Sequence, residues 1–304
     1  MIFIIIFLLQ LFRNISYGQI YFQADPFYLL YYEKEYHNNI ENSNSLVFRP
    51  SFSTNTDKKI NWSLRLRSEL FWNNNAPNLE NTSTRWIGKG NSSFSSINLS
   101  IIGPYFGLSI EPYKFESQNL QYTVPVRRRL FKKMNDARSH DEMPFKSSGL
   151  REVQAYFHYG GLGLGVSNAS MWWGPGLHSS LQMSTNTTGF RYFMLGTLNE
   201  QRINNIGLDI RYLFSSLDEK NMGKPYFTAL LFSSTIYSNP QFTFGLSRSY
   251  LSGPGTAPVS DWSFISLEDA MLLPFGELFL SDKQKDPDVP ESAVDLWDEI
   301  LVAY

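Results

Sequence analysis

Ile60-Asn61-Trp62-Ser63-Leu64-Arg65-Leu66-Arg67-Ser68-Glu69-Leu70-Phe71-Trp72 is the stretch that decides the fold. Ile60, Trp62, Leu64, Leu66, Leu70 and Trp72 fall on one face of an extended chain, opposite Asn61, Ser63, Arg65, Arg67 and Glu69, which is the period-2 pattern of a β-strand. The run is long for a soluble strand. It is close to the 9–11 tilted residues that cross a bilayer as a barrel strand, and tryptophan at both ends of the apolar face suits the two membrane interfaces.

The same alternation recurs in hairpins. Ile97, Leu99 and Ile101 alternate with Asn98 and Ser100, Gly103-Pro104 turns the chain, and Phe106, Leu108 and Ile110 return. Val153, Ala155, Phe157 and Tyr159 alternate with Gln154, Tyr156 and His158 before Gly160-Gly161 and the run Leu162, Leu164, Val166. Further strands are expected over 21–36, 45–54, 189–197, 203–215, 225–237 and 241–250, about a dozen in all. Links alternate in length: those near 55–58, 103–104, 160–161, 198–205 and 238–240 are short, whereas 73–91, 116–149, 168–188 and 251 onward are long. Short periplasmic turns facing long external loops are the asymmetry of outer-membrane barrels. The rival architecture from the same alternation is a soluble β-sandwich or jelly roll.

The apolar block 2–12 would span about 16 Å as a helix, too little for a hydrocarbon core of about 30 Å. With Ser16-Tyr17-Gly18 after it, residues 1–18 read as a secretory signal peptide cleaved ahead of Gln19, although no lysine or arginine precedes the block. Residues 19–304 then form one all-β unit, a transmembrane antiparallel up-and-down β-barrel. No later segment supplies eighteen consecutive apolar residues for a membrane helix.

Composition supports that class and excludes others. Aromatic residues are 16% of 304, charged residues 18%, cysteine is absent and the net charge is −2. Disulfides, thiolate metal sites and cysteine catalysis are excluded, and no basic excess favours nucleic acid. No cofactor or metal is expected. There is no zinc-protease helix motif, P-loop or nucleophile elbow. Gly161-Leu162-Gly163-Leu164-Gly165 lacks the third glycine of a dinucleotide loop and leads into a strand, so it reads as small residues on an inner face that make room for side chains opposite. Asn-x-Ser/Thr sequons are scattered through this Asn/Ser-rich chain, two of them inside strands, and are set aside.

Two constellations stand out. In 168–190, Trp172-Trp173-Gly174-Pro175-Gly176, then His178, Ser179 and Asn186, combine flat rings with short polar groups, the chemistry of a sugar site. The same residues also suit an interfacial tryptophan girdle and a tight turn. In the long link 116–149, Arg127, Arg128, Arg129, Lys132 and Lys133 suit an anionic partner such as acidic polysaccharide or lipopolysaccharide phosphate, or a merely solvated loop.

Trp172 to Gly176, followed by Ser180-Leu181, Asn186, Gly189-Phe190 and Leu195-Gly196-Thr197, resembles the Wzi capsule assembly family of outer-membrane proteins. Arg85-Trp86-Ile87-Gly88-Lys89-Gly90, preceded by Asn73 to Asn75 and followed by the 97–110 hairpin and Glu111-Pro112, is similar to an upstream block of that family. The resemblance implies a non-catalytic outer-membrane barrel that holds capsular or other exopolysaccharide at the cell surface in a lectin-like way. Trp86 joins the glycan-binding candidates on this basis. The family's barrels use more strands than this length supplies, and Asp295 to Tyr304 reads as a strand just starting, so a C-terminally truncated barrel is expected. Two other functions remain open: a porin-like channel lined by Arg65, Arg67, Glu69, Asp209 and Arg211, and an outer-membrane hydrolase using His178 and a nearby serine.

Overall fold

The computed structural model describes residues 24–25, 47–52, 60–77, 81–122, 144–176, 179–186, 188–217, 225–252, 267–275 and 297–304. The protein is all-β and antiparallel. Its strands are β1 (Phe48–Arg49), β2 (Asn61–Asn73), β3 (Gly90–Ile102), β4 (Phe106–Ser117), β5 (Phe145–Tyr159), β6 (Leu162–Ser167), β7 (Trp172–Trp173), β8 (Tyr192–Thr197), β9 (Gln201–Ile203), β10 (Ile206–Ser216), β11 (Tyr226–Ile236), β12 (Phe242–Ser252) and β13 (Trp297–Ala303). A short helix, α1 (Leu267–Leu272), runs into the 3-10 turn Leu273–Phe275.

One 11-stranded sheet forms the wall, in the order β13-β12-β11-β10-β8-β6-β5-β4-β3-β2, with β9 beside β10. The order is up-and-down, as the alternation and turn residues imply. Among the described residues β2 and β13 are its two edges and do not pair with each other, so the sheet does not close on itself there. Short links 103–105, 160–161 and 237–241 lie at one rim, and the strand ends Asn73, Ser117 and Phe145, from which the long links leave, lie at the other.

A second, two-stranded sheet pairs β1 with β7. The strand expected over 45–54 is therefore not a stave of the wall. It packs on the wall's inner face, where Val47, Phe48, Phe52, Tyr156, Met171, Trp173, Met194 and Leu231 form the core. The candidate strand 21–36 lies outside the described residues except for Ala24 and Asp25, both buried.

The wall's polarity is inverted relative to a soluble sheet. Its outer face carries exposed Trp62, Leu66, Leu70 (84% exposed), Trp72, Ile97, Leu99, Leu108, Phe157, Leu164, Leu195 and Ile210. Its inner face buries Ser96, Asn98, Ser100, Ser109, Glu111, Gln154, Asp209, Arg211 and Ser247. Hydroxyls and amides satisfy one another there: Asn98 Nδ2 donates to Ser109 Oγ (3.0 Å), and Ser96 Oγ donates to Glu111 Oε1 (2.7 Å). Aromatic pairs sit at each rim, with Tyr105 stacked on Tyr159 beside the short links and Phe214 on Tyr226 beside the long ones.

The glycines on the inner face do make room for a ring. Gly107 of β4 and Gly165 of β6 both pair with Tyr156 of β5, whose ring packs edge-on to Phe52 at 5.3 Å. A Cβ added at Gly107 would lie 2.1 Å from Tyr156 Cζ.

Candidate functional site

Two layers fill the inner face. The first is a charge cluster built around Asp25. Its Oδ2 accepts from Arg67 Nη1 (2.7 Å), Arg85 Nη2 (3.0 Å) and Arg151 Nη2 (3.1 Å). Glu69 accepts from Arg85 Nε at 2.6 Å and shares Nη2 with Asp25, at 2.9 Å. Glu111 lies 3.7 Å from Arg151 Nε. The guanidinium carbons of Arg85 and Arg151 stand 4.3 and 5.3 Å from the centre of the Phe94 ring. Burial by itself would push the Asp25 carboxyl up. Arg85, Arg151 and Arg67 overcome that and hold it well below the usual carboxylate range.

A bulge supplies part of this cluster. The β4–β5 register shifts between Ser109 and Glu111, and Glu152 has φ 51°, so Arg151 and Glu152 are buried side by side although they are neighbours in a strand. Glu152 Oε1 then accepts from Ser170 N at 3.3 Å, which ties the wall to the segment leading into β7. Asp209 and Arg211 form a separate bidentate pair at 2.6 and 2.8 Å, and Arg211 Nη1 also donates to Pro50 O (2.5 Å). Of the charged residues offered as pore lining, Arg67, Glu69, Asp209 and Arg211 are thus paired, and Arg65 is half-buried.

The second layer is the Trp-Trp-Gly-Pro-Gly segment. Sequence reasoning cast Trp172 and Trp173 as open stacking surfaces. Their side chains are instead interior, at 2% and 1% exposure. Strand β7 hydrogen-bonds to β1 rather than facing solvent, which removes both indoles from a sugar's reach. Trp172 Nε1 and Arg49 Nη2 both donate to Gly176 O, at 2.8 and 3.1 Å, and the Arg49 guanidinium lies 5.0 Å from the Trp172 ring centre. Trp173 stacks on Phe227 and packs in the core. Gly174 has φ +117°, and a side chain there would strike the Tyr304 ring at 2.6 Å; Pro175 is exposed. Between Arg49, Tyr192 and Arg211 the packing leaves a gap of about 10 Å³, little more than a water.

Of the polar candidates, Asn186 is placed by contacts with the link that follows β2. Asn186 is exposed and its Oδ1 accepts from Asn81 N at 2.7 Å. Ser83 N donates to Thr185 O (2.8 Å), and the Ser83 and Ser170 hydroxyls are 3.1 Å apart. Residues 81–83, just ahead of the Arg85–Gly90 block, therefore dock on Ser170 and on 185–186. Trp86 is half-buried and lies edge-on to Phe145 at 5.2 Å. Ser179 is exposed. His178 and the basic patch Arg127, Arg128, Arg129, Lys132 and Lys133 lie outside the described residues.

Sequence reasoning missed the Asp25 cluster. Its signal was present in Arg67, Glu69 and Glu111 at inward positions of alternating strands, and in Arg85 directly before Trp86. Among the described residues no group of histidine and carboxylate side chains is arranged to hold a metal ion, and no helix is long and apolar enough to cross a membrane. The exposed, hydrogen-bonded seam at the rim can hold a hydroxyl-rich ligand. The interior can hold the wall in shape. No family model, no curated protein and no solved structure matches the chain.

Proposed function

We propose that this chain is a non-catalytic β-barrel protein of the bacterial outer membrane whose long-link rim binds capsular or other exopolysaccharide. The observation that carries the membrane part is the inverted wall, apolar outside and polar within. From Trp62 to Trp72 the strand covers about 33 Å. Tilted by about 40°, that gives a height of about 25 Å, which is the height of the apolar band of an outer-membrane barrel. Exposed aliphatic surface on this scale needs a lipid or protein cover.

The polysaccharide part is supported by the resemblance to the Wzi family, and by the exposed motif residue Asn186, which accepts from Asn81 a few residues ahead of the half-buried Trp86. The paired, packed charges of the inner face weigh against a wide channel. Binding is measured with refolded protein immobilised against purified bacterial polysaccharides. At least one acidic or neutral polysaccharide is expected to bind, and Trp86→Ala is expected to weaken it roughly tenfold, the loss of one ring contact. Absence of binding to any polysaccharide would overturn the glycan reading and leave the membrane reading standing.

Conductance offers a second measurement. In a planar bilayer the refolded protein is expected to stay nearly closed; stable ohmic steps would favour the channel.

A further inference from the structure

We infer that the segment 267–275, α1 with its 3-10 turn, is an interfacial strap that lies outside the wall and inserts Leu272 and Phe275 into lipid at the long-link rim. This rests on the membrane reading above.

The starting point is an exception to the wall's exposure pattern. Register places Tyr212 opposite Leu195 and Leu230, and Thr228 opposite Phe214 and Tyr250. These are outer-face positions, since Leu195 and Ile210 are exposed whereas Leu213, Met194 and Ala229, on the opposite face, are in the core. Yet Tyr212 and Thr228 are buried, and Tyr250 is 0% exposed.

The strap buries them. Leu273 packs on Tyr250 in a small cluster of its own. Tyr212 Oη donates to Met271 O at 2.9 Å, and the Phe275 ring lies 5.2 Å from the Tyr212 ring. The physical reason is in the residue types. Tyrosine and threonine hydroxyls on a lipid-facing surface lack water as a partner and are costly there. A backbone carbonyl brought from outside satisfies Tyr212, and the strap's own apolar side replaces the hidden hydroxyls.

That replacement side is visible. Leu272 (41% exposed) and Phe275 (53% exposed) keep much of their apolar surface uncovered. They continue the exposed apolar surface of Leu195, Ile210 and Leu301 toward the rim, where an element with an apolar face lies flat at the lipid boundary. The occupant of this surface is therefore the acyl region of the bilayer rather than a protein partner.

The absence of cysteine permits a direct test. Leu272→Cys and Phe275→Cys, each carrying a nitroxide, are refolded into dilauroylphosphatidylcholine vesicles beside Leu66→Cys on the mid-wall outer face and Asn74→Cys in a long link. Relaxation by oxygen is compared with relaxation by a water-soluble nickel chelate. Positions 272 and 275 are expected to favour oxygen as 66 does, with 74 favouring nickel. Nickel-favoured 272 and 275 with oxygen-favoured 66 would overturn the strap and keep the membrane reading. Spin–spin broadening at 272 that vanishes on dilution with unlabelled protein would overturn it in favour of a second copy. Nickel-favoured 66 would overturn both. Leu272→Cys keeps the tilted Phe275–Tyr212 contact, so it remains informative if Phe275→Cys disturbs the docking.

Discussion

Asp25→Asn lowers the stability of the refolded protein by about 3–5 kcal/mol, the cost of removing one partner from a buried charge group. Three arginines converge on the Asp25 carboxylate, at 2.7, 3.0 and 3.1 Å. The substitution keeps the shape and deletes the charge, leaving guanidinium groups of three separate elements facing one another. The pH dependence follows from the direction of the shift. A carboxyl held below its usual range contributes stability that is fully present above the unfolded-state value of about 3.9 and is lost as pH falls through the lower folded value. The gap between wild type and Asp25→Asn is therefore expected to be flat from about pH 5 to pH 8 and to close only in strong acid. Guanidinium unfolding followed by tryptophan emission checks both points. A gap under about 1 kcal/mol, or one that closes near neutral pH, would show that Asp25 does not hold the cluster together.

The second large effect is steric, and it separates two glycines that face the same ring. Gly107→Ala is expected to cost about 3 kcal/mol, since its Cβ would meet the Tyr156 ring at 2.1 Å in a filled interior. Tyr156→Ala in the same chain removes the obstacle, so the double variant is expected to lose less than the sum of the two single variants. Gly165→Ala behaves differently. Its Cβ would fall 2.5 Å from the Ala155 carbonyl oxygen and 2.8 Å from Tyr156 Cα, which are backbone atoms. Truncating Tyr156 leaves those in place, and no recovery is expected. Equal recovery in the two double-mutant cycles would mean that the ring, not the backbone, limits both positions.

The wall was readable because alternation is a local property. Trp62 to Trp72, the 97–110 hairpin and the Gly160-Gly161 turn each declare a strand, and the faces agree with the exposures found. What lay inside the wall was not readable. The stretch around Phe48-Arg49 reads like any stave and Trp172-Trp173 falls in a long link, and only their pairing with each other, far apart in the chain, takes the first out of the sheet. The paired indoles were legible as important and illegible as buried. The bulge at Arg151-Glu152 breaks the alternation with no glycine to announce it, so two adjacent charges enter the cluster unannounced. The strap is a short helix whose apolar residues carry no usable period. Its place is set by Tyr212, Thr228 and Tyr250 in three neighbouring strands, which look like ordinary outer-face residues.

The inverted wall has a consequence for the chain before it folds. In β2 and β3 most apolar residues are flanked by serine, asparagine or a charge, and mean hydropathy over the whole chain is −0.26. Such stretches lack the long greasy runs that drive aggregation in water, and their lipophilic surface is assembled only as strands pair and bring alternate side chains into line. Solubility in transit and insolubility on arrival are encoded by the same residues, and the switch between them is strand registration.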